Sequence, residues 1–259
     1  MKIGINMDFY KGLSDDEQIS LMTQNGFTAT FFHSDVNGLD ERVAKLRRAN
    51  IDIDFLHAPA KGINDLWLTG KAGEVTLARL IENLENCKRN GVDAMIVHLS
   101  SGDNAPHVSD IGFSRLDRFM EHARRIGVIP IYENQRKLGA IACVFERYPD
   151  AVFCWDVGHE ACLADGRAFM PLFGDHIVAL HLHDNFQIHN GDLHLIPYDG
   201  SIDMEHAARV LAGSRYHGPI MLELHGAETN YAEISFAQCY ERAAVAARKF
   251  ASRVEFYRI

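Results

Sequence analysis

The sequence predicts an α/β fold, a single-domain (β/α)8 TIM barrel, and three observations predict it. Short apolar runs alternate with amphipathic helical stretches along the whole chain, which is typical of a parallel sheet covered by helices. Eight such strand–helix pairs fit into 259 residues, as a closed barrel requires. The turn after the first strand lacks a GxGxxG pattern, which argues against an open dinucleotide-binding sheet. We therefore expect one domain over residues 1–259.

The apolar runs are the predicted strands, and several are apolar at nearly every position because both faces of a parallel sheet are buried. In chain order they cover residues 2–8, 27–33, 52–59, 94–100, 128–134, 151–159, 178–185 and 219–226. Polar caps and glycines mark the helices between them, such as Ser14 or Asp15 before the first and Gly26 after it. In chain order the predicted helices cover residues 15–26, 38–50, 74–90, 114–127, 137–149, 164–176, 202–213 and 235–254.

Six successive predicted strands end in a residue that can bind a metal ion. In chain order these ligands are His57, His98, Glu133, Asp156 with His159, His181 with His183, and Glu223, and the loop after the seventh strand adds Asp192 and His194. Side chains alternate between the two faces of a strand, so such residues can share the face toward the barrel axis. Barrel enzymes carry their active sites at the carboxyl ends of the strands. The sequence therefore predicts a site at that end.

The mixture of carboxylates and imidazoles indicates a divalent metal ion. Such ligands suit Mn²⁺, Co²⁺, Zn²⁺ or Fe²⁺ better than Ca²⁺. Carboxylates that converge in a barrel mouth repel one another unless a cation neutralises them. Glu133, Asp156, His181 and Glu223 come from four consecutive predicted strands and are expected to surround one ion. We expect no organic cofactor.

Several strings of the sequence resemble a known family. They are HAP at 57–59, YEN at 132–134, WDVGH at 155–159, HLHDN at 181–185, DLHLIPYDGSID at 192–203 and LEL at 222–224. With them the chain resembles the xylose isomerase-like TIM-barrel superfamily, which groups sugar isomerases and epimerases with endonuclease IV. The resemblance implies that Glu133, Asp156, His181 and Glu223 bind the metal. It also implies that the two glutamates move the proton of the substrate carbon.

The same resemblance leaves a second activity open. Five further residues match positions that complete a three-zinc cluster in endonuclease IV, namely His57, His98, His159, Asp192 and His194. They are candidates for additional metal binding or for substrate binding. The alternatives are a hydrogen-bonded barrel-mouth histidine for His57 or His98, an ordinary polar loop for Asp192 and His194, and support of Asp156 for His159. For Glu133, Asp156, His181 and Glu223 the alternative is a buried hydrogen-bond network. His183 is expected to contact the substrate, and Trp67 either closes over a sugar ring or packs its own loop.

Departures from the family patterns bear on this choice. Endonuclease IV follows its strand-five glutamate with a Thr-Ala-Gly stretch, whereas this chain reads ENQRKLGA. Ketose 3-epimerases carry an arginine shortly after the strand-seven histidine, where this chain has Gln187. The net charge of -9 and pI of about 5.8 argue against a nucleic-acid partner. Few cations lie near the expected mouth, namely Lys11, Lys61, Lys71, Arg136 and Lys137.

We therefore expect a metal-dependent isomerase or epimerase that acts on a sugar or sugar phosphate by proton transfer through an enediolate. A phosphodiesterase with two or three zinc ions is the alternative, and a non-catalytic binding protein is the third hypothesis. No apolar run approaches the ~20 residues that span a bilayer. The chain opens without a signal-peptide pattern, and its five cysteines are scattered, so we expect a cytoplasmic protein. The resemblance also implies that a homo-oligomer can form.

Overall fold

The structure, a computed structural model, describes residues 1–10 and 12–258, so Lys11 and Ile259 lie outside the described residues. Within these ranges, eight strands form one sheet in which neighbouring strands run parallel. The strands are Ile3–Ile5 (β1), Ala29–His33 (β2), Asp52–His57 (β3), Ala94–Val97 (β4), Ile129–Glu133 (β5), Val152–Asp156 (β6), Ile177–His181 (β7) and Ile220–Leu222 (β8). The predicted α/β barrel is confirmed.

Helices follow the strands and cover the outer face of the sheet. They are Asp15–Gln24 (α1), Leu39–Arg48 (α2), Lys71–Arg89 (α3), Asp110–Ile126 (α4), Leu138–Arg147 (α5), Val157–Leu163 (α6), Met170–Phe173 (α7), Met204–Ala212 (α8), Ala227–Asn230 (α9) and Phe236–Tyr257 (α10). Short 3₁₀ turns cover Ile63–Trp67 and Gly174–His176. Among the described residues, none of the helices has the length and apolar character needed to cross a membrane.

The barrel closes between its last two strands. Strands β1 to β7 follow one another around the sheet, and β8 pairs with β1. One parallel bridge, between Leu182 and Leu222, joins the chain just after β7 to β8. In this bridge the Leu182 amide donates to the Met221 carbonyl oxygen over 2.9 Å, and the Glu223 amide donates to the Leu182 carbonyl oxygen over 3.2 Å. We call this join the seam of the barrel.

A layer of apolar side chains fills the barrel interior. It consists of Ala29, Phe31, Phe55, Ile96, Ile131, Cys154, Ala179 and Met221, from strands β2 to β8. Strand β1 contributes Gly4, where a Cβ atom would lie 2.7 Å from the Met221 sulfur. Only glycine fits this close approach without a shift of Met221. The layer forms the floor beneath the polar residues at the strand ends.

Several element bounds differ from the prediction because capping residues decide them. Helix α4 begins at Asp110, four residues before the predicted start, since Ser109 Oγ accepts a hydrogen bond from the Gly112 amide over 3.2 Å. Helix α3 begins at Lys71, three residues early, although its N-cap residue Gly70 offers no side-chain cap. The predicted strand 151–159 ends at Asp156, which caps α6. The predicted helix 164–176 is only the short α7 and a 3₁₀ turn.

Candidate metal centre

Every barrel strand delivers a polar side chain to the same end of the barrel, two positions after the apolar floor. In chain order these are Asn6, His33, His57, His98, Glu133, Asp156, His181 and Glu223. Residues two apart on a strand share a face, so all eight follow the direction of the floor residues. Six of them were predicted from the sequence, whereas Asn6 and His33 were not. Their spacing of two from Gly4 and Phe31 is the signal that identifies them.

The four residues expected to surround one ion converge in the structure. Glu133, Asp156, His181 and Glu223 each offer a ligand atom, and these atoms all lie within 4.8 Å of one another. His181 is central, because its Nδ1 lies 3.2 Å from Glu223 Oε2, 3.5 Å from Glu133 Oε1 and 3.7 Å from Asp156 Oδ2. All four side chains are buried. We call these four residues the quartet.

The quartet atoms that face one another lack hydrogen-bond partners. Among the described residues, this holds for Glu133 Oε1, Asp156 Oδ2, Glu223 Oε2 and His181 Nδ1, all of which are buried. His159 Nδ1 approaches Glu133 Oε1 to 2.9 Å, but not in hydrogen-bond geometry. An unpaired buried polar group costs about 1–3 kcal/mol, and more when it is charged. One divalent cation would satisfy all four atoms, and three carboxylates with an imidazole suit Mn²⁺, Co²⁺ or Zn²⁺, so these residues fit a metal ion.

Two histidines hold the other oxygen of Glu133. His98 Nε2 lies 2.8 Å from Glu133 Oε2, and His57 Nε2 lies 3.1 Å from the same atom. His57 Nδ1 lies 2.8 Å from the Ala58 carbonyl oxygen and must therefore donate to it. If the His57 ring were neutral, its Nε2 would carry no proton, and two hydrogen-bond acceptors, Nε2 and Glu133 Oε2, would face each other. A proton or a cation is therefore needed between His57, His98 and Glu133. The ligand atoms of these three residues lie within 4.8 Å of one another.

A further group of ligands lies beside the quartet. It consists of His159, His183, Asp192 and His194, whose ligand atoms also lie within 4.8 Å of one another. Asp192 is central, with Oδ2 at 3.2 Å from His159 Nε2 and Oδ1 at 3.3 Å from His194 Nε2. The rings of His183 and His194 stack with their centroids 3.8 Å apart. The loop after β7 therefore brings Asp192 and His194 into the site. We call these four residues the Asp192 group.

The string WDVGH positions both ligand groups. Asp156 caps α6, since its Oδ1 accepts a hydrogen bond from the His159 amide over 2.6 Å, and this leaves Oδ2 for the quartet. Asn134 holds the Asp156 backbone, accepting from its amide over 2.7 Å and donating to its carbonyl oxygen over 2.8 Å. A Cβ atom at Gly158 would lie 1.9 Å from the His183 ring, so glycine is required there. The five residues of this string thus end strand β6, cap helix α6 and supply ligands to both groups.

Burial and neighbouring charges act in opposite directions on these groups. Burial alone would raise the pKa of Glu133, but the charges of His98 and His181 hold that pKa well below 4.5. Burial would lower the pKa of His181, but the carboxylates of Glu223 and Glu133 raise it to about 10. Likewise, burial would lower the pKa of His194, yet its contact with Asp192 raises it to about 9. The carboxylates stay ionised and need positive charge beside them, from protonated imidazoles or from a cation whose binding would release those protons.

Two more residues lie around the site. Trp67 is 3% exposed, its Nε1 donates to a backbone carbonyl oxygen over 2.6 Å, and its ring packs edge-on against Phe113. Of the two roles expected for Trp67, this position agrees with packing of the loop and not with closure over a sugar ring. Gln135, which sequence analysis missed, lies between the ligand groups. Its Nε2 is 2.9 Å from His159 Nδ1 and 3.3 Å from His98 Nε2.

A family model described as xylose isomerase-like TIM barrel matches residues 17–239 of the chain. One curated relative, the uncharacterized protein y4fM of Sinorhizobium fredii (strain NBRC 101917 / NGR234), is 34% identical over 94 residues. That match covers 35% of this chain and 29% of y4fM, so the chain spans less than a third of the length of this relative.

Solved structures share the fold at low sequence identity. An L-ribulose 3-epimerase matches with a TM-score of 0.76 at 15% identity, over 100% of this chain and 96% of its own. The 3-keto-D-glucoside 4-epimerase YcjR from E. coli matches with a TM-score of 0.72 at 17% identity, over 96% and 99% of the two chains. A D-tagatose 3-epimerase-like protein matches with a TM-score of 0.73 at 18% identity, over 99% and 98%. At these identities the likeness shows the fold.

Proposed function

Because the chain belongs to the xylose isomerase-like TIM-barrel family, we propose that it is a divalent-metal-dependent isomerase or epimerase of a sugar or sugar-like polyol. The observation that carries the proposal is the quartet, in which four buried ligands from four consecutive strands offer atoms within 4.8 Å of one another. Two of the structures that share its fold are described as an L-ribulose 3-epimerase and a 3-keto-D-glucoside 4-epimerase, which supports a sugar as substrate.

The quartet would hold the cation, and two of its members would also carry the proton. A bound divalent cation supplies a Lewis acid that stabilises negative charge developing on a substrate oxygen. One of the two glutamates, Glu133 or Glu223, removes the proton from the carbon next to the substrate carbonyl, and the other returns a proton. Return to the opposite face of the same carbon gives an epimer, and return to the neighbouring carbon gives an isomer.

The two glutamates differ in their access to a substrate. His98 and His57 hold one oxygen of Glu133, so the position of this carboxylate is fixed. Glu223 instead lines a cavity of about 280 Å³ between the ends of β1, β2 and β8. Glu223 belongs to both the quartet and the wall of this cavity, so a substrate that extends from the quartet into the cavity passes Glu223. We therefore assign the first proton removal to Glu223 and the return of a proton to Glu133, which is ionised in the free protein and would take that proton from the imidazole of His57 or His98 at its Oε2.

Exchange of solvent deuterium tests this proposal. The protein is loaded with Mn²⁺ and incubated in D₂O with a panel of aldoses and ketoses, and deuterium at each carbon is followed by NMR. We expect exchange at a carbon next to the carbonyl, slowed about 100-fold or more in Glu133→Gln and in Glu223→Gln. His217→Gln, an exposed imidazole before β8, is the matched control and should keep the wild-type rate. Full activity of Glu133→Gln would overturn its assignment as a catalytic residue.

A second candidate function is phosphoester hydrolysis, and one observation favours it. Besides the quartet, the Asp192 group and the set of His57, His98 and Glu133 each bring their ligand atoms within 4.8 Å of one another, as a site for several metals would need. Two or three ions could generate hydroxide and hold the leaving oxygen. Metal content per chain separates the two functions. About one exchangeable ion fits the isomerase, whereas two or three tightly held zinc ions, with cleavage of an abasic oligonucleotide abolished by Asp192→Ala, would favour the hydrolase.

A further inference from the structure

The cavity beside Glu223 indicates what the rest of the substrate looks like. Its volume is about 280 Å³, and its polar wall is formed by Asn6, Asp8, His33, Glu223 and His225. Small-molecule sites usually occupy about 300–1,000 Å³, so this cavity is large enough for much of a sugar-sized substrate. The cavity adjoins the quartet through Glu223, and its other walls come from the ends of β1 and β2, so a substrate whose carbonyl end lies at the quartet would place its other end against those walls.

Asn6 and Asp8 play different parts in this wall. The Asn6 side chain donates to the Leu224 carbonyl oxygen over 2.9 Å and accepts from the Leu224 amide over 2.8 Å, so it is occupied by the backbone. Asp8 has a left-handed backbone with φ of 65°, and its amide donates to Gln18 Oε1 over 2.7 Å. Such a conformation costs about 1–3 kcal/mol and is common at binding sites. The Asp8 carboxylate, which binds Arg42 at 2.8 and 3.2 Å, is 46% exposed and can accept further hydrogen bonds.

His33 and His225 flank the cavity with imidazoles whose nitrogens remain available. The His33 ring packs edge-on against His57 with centroids 5.2 Å apart, and the His225 ring stacks on His194 at 4.2 Å. These ring contacts orient the two imidazoles, while no hydrogen bond to either ring is formed by the residues that the structure describes. A neutral imidazole donates through one nitrogen and accepts through the other, as a hydroxyl group does through its oxygen.

The charges of the described wall residues disfavour one class of substrate end. Asp8 and Glu223 both bear carboxylates, and within residues 1–10 and 12–258 neither lysine nor arginine lines the cavity. The nearby Arg42 is bound by Asp8 and, over 2.7 Å, by Asp15, so two carboxylates already match its charge. A phosphate ester carries about -1.5 to -2 charges and needs cationic or amide donors. It would be repelled here, whereas uncharged hydroxyl groups would find both donors and acceptors.

We propose that this cavity binds the end of the substrate farthest from the reacting carbon, and that this end carries hydroxyl groups and no phosphate. Asp8 accepts a hydrogen bond from one hydroxyl, and His33 and His225 bind others. The three side chains are therefore specificity residues. This inference rests on the proposed function, because it requires a sugar whose carbonyl end lies at the quartet.

The test compares three substrates in the deuterium-exchange assay with Mn²⁺-loaded protein. They are the best five- or six-carbon ketose of the panel, its terminal phosphate ester, and dihydroxyacetone, which has three carbon atoms and therefore lacks the far end of the longer ketoses. We expect the phosphate to lower kcat/KM at least about tenfold relative to the free ketose. In Asp8→Asn, His33→Gln and His225→Gln, kcat/KM should fall about five- to tenfold more for the long ketose than for dihydroxyacetone, the effect of about one lost hydrogen bond. The ratio should not change in His217→Gln.

Each of the other outcomes would contradict either this inference or the proposed function. Preference for the phosphate ester, with exchange intact, overturns this inference and leaves the proposed function standing. An equal loss for the long and the short substrate in the three variants, at unchanged metal content, also overturns it, because the residues would then act on the reacting end. Deuterium exchange into none of the sugars overturns the proposed function, and the inference falls with it. Titration calorimetry with xylitol, a non-reacting polyol, gives a readout without turnover, and its Kd should rise in the three variants.

Discussion

Asp54 is a carboxylate at the end of the barrel opposite the metal ligands. It is the extra residue of a bulge in β3, because Ile53 pairs with Thr30 and Phe55 pairs with Phe31. Burial, together with the smaller effect of the Asp52 charge, raises the pKa of Asp54 to about 6, and the charges of Lys2 and His181 act in the opposite direction. The folded protein thus holds a proton on Asp54 at a pH where the unfolded chain has lost it. Ionised Asp54 therefore destabilises the fold above about pH 6.

Replacing Asp54 by asparagine should stabilise the protein in a pH-dependent way. The folded pKa lies above the unfolded one, so stability is lost as pH rises from about 4 to about 6. At pH 7.5 we expect Asp54→Asn to raise the free energy of unfolding by about 1–2 kcal/mol. A pKa shift corresponds to ~1.4 kcal/mol per unit, but the gain should be smaller than this conversion gives because the Asp54 side chain keeps some contact with water. At pH 4 the two proteins should be equal. Urea unfolding at both pH values checks this, and a gain that is the same at both would contradict it.

Single residues were predictable from sequence where they interrupt an apolar run. The quartet could be found because carboxylates and imidazoles at the ends of buried strands are costly without a partner. Asp8 could not be found in this way, since its place depends on a left-handed backbone and on Arg42, which lies 34 positions further along the chain. His33 follows an apolar run and could have been identified, but it stands outside the six successive strands that drew attention.

At the level of elements, the loop after β7 carries Asp192 and His194 and is held by a small polar network. Arg136 donates to Asn190 Oδ1 over 2.6 Å and to Asp103 Oδ1 over 3.0 Å, and Asn190 donates to Asp103 Oδ2 over 2.7 Å. These three residues come from the loops after β5, β7 and β4. They tie three loops together at the rim of the candidate metal centre, which keeps the Asp192 group assembled.

Loss of this network should loosen the loop and leave the barrel intact. In Arg136→Ala we expect limited proteolysis within residues 186–191 to be several times faster, because the exposed loop then opens more often. The melting temperature should change little, since exposed ion pairs contribute about 0–1 kcal/mol. Arg124→Ala is the matched control, because Arg124 binds Asp150 at 3.0 Å, also at the surface but remote from this loop. Equal cleavage rates in wild type and Arg136→Ala would show that this network does not hold the loop.

The order of the elements was predictable because apolar strands and amphipathic helices have different periods. The bounds of the elements were less predictable, and two of the differences have a common origin. Ser109 starts α4 before the apolar pattern begins, and Asp156 turns a run that reads as one strand into a strand followed by a helix. In both cases a side chain satisfies free backbone amides, which outweighs the pattern of the neighbouring residues.

For the whole molecule, the proposed metal should contribute to stability. A cation at a free concentration 1,000 times its Kd adds about 4 kcal/mol to the free energy of unfolding, and for a chain of this size each kcal/mol shifts Tm by about 2–4 °C. We therefore expect a chelator to lower Tm by on the order of 10 °C, and Mn²⁺, Co²⁺ or Zn²⁺ to restore it. Differential scanning calorimetry measures both changes.

Asp156→Asn is the variant that connects this stabilisation to the quartet. Asparagine still accepts the capping hydrogen bond from the His159 amide but removes one anionic ligand. Its Tm should hardly respond to the chelator. A chelator effect as large as that of the wild type would place the stabilising ion elsewhere, and the absence of any effect on wild type would argue against a tightly bound metal.

The barrel as a whole was predictable because eight strand–helix units of this length have few other ways to bury their apolar faces. The arrangement of the rim was not, because it depends on contacts between loops that are far apart in sequence. Asp103 and Asn190, for example, are separated by 87 positions, and neither stands in an apolar run.

The seam of the barrel has a consequence for local opening of the folded protein. Strands β7 and β8 are joined only by the bridge between Leu182 and Leu222 within the part of the chain that the structure describes. On either side of this join stand His181 and Glu223, with Nδ1 and Oε2 3.2 Å apart. An ion shared by the two side chains would hold the two sides of this join together. Removing the ion should therefore speed amide hydrogen exchange at Leu182 and Glu223 more than at the β4–β5 join, and the same opening would give the ion its way in and out.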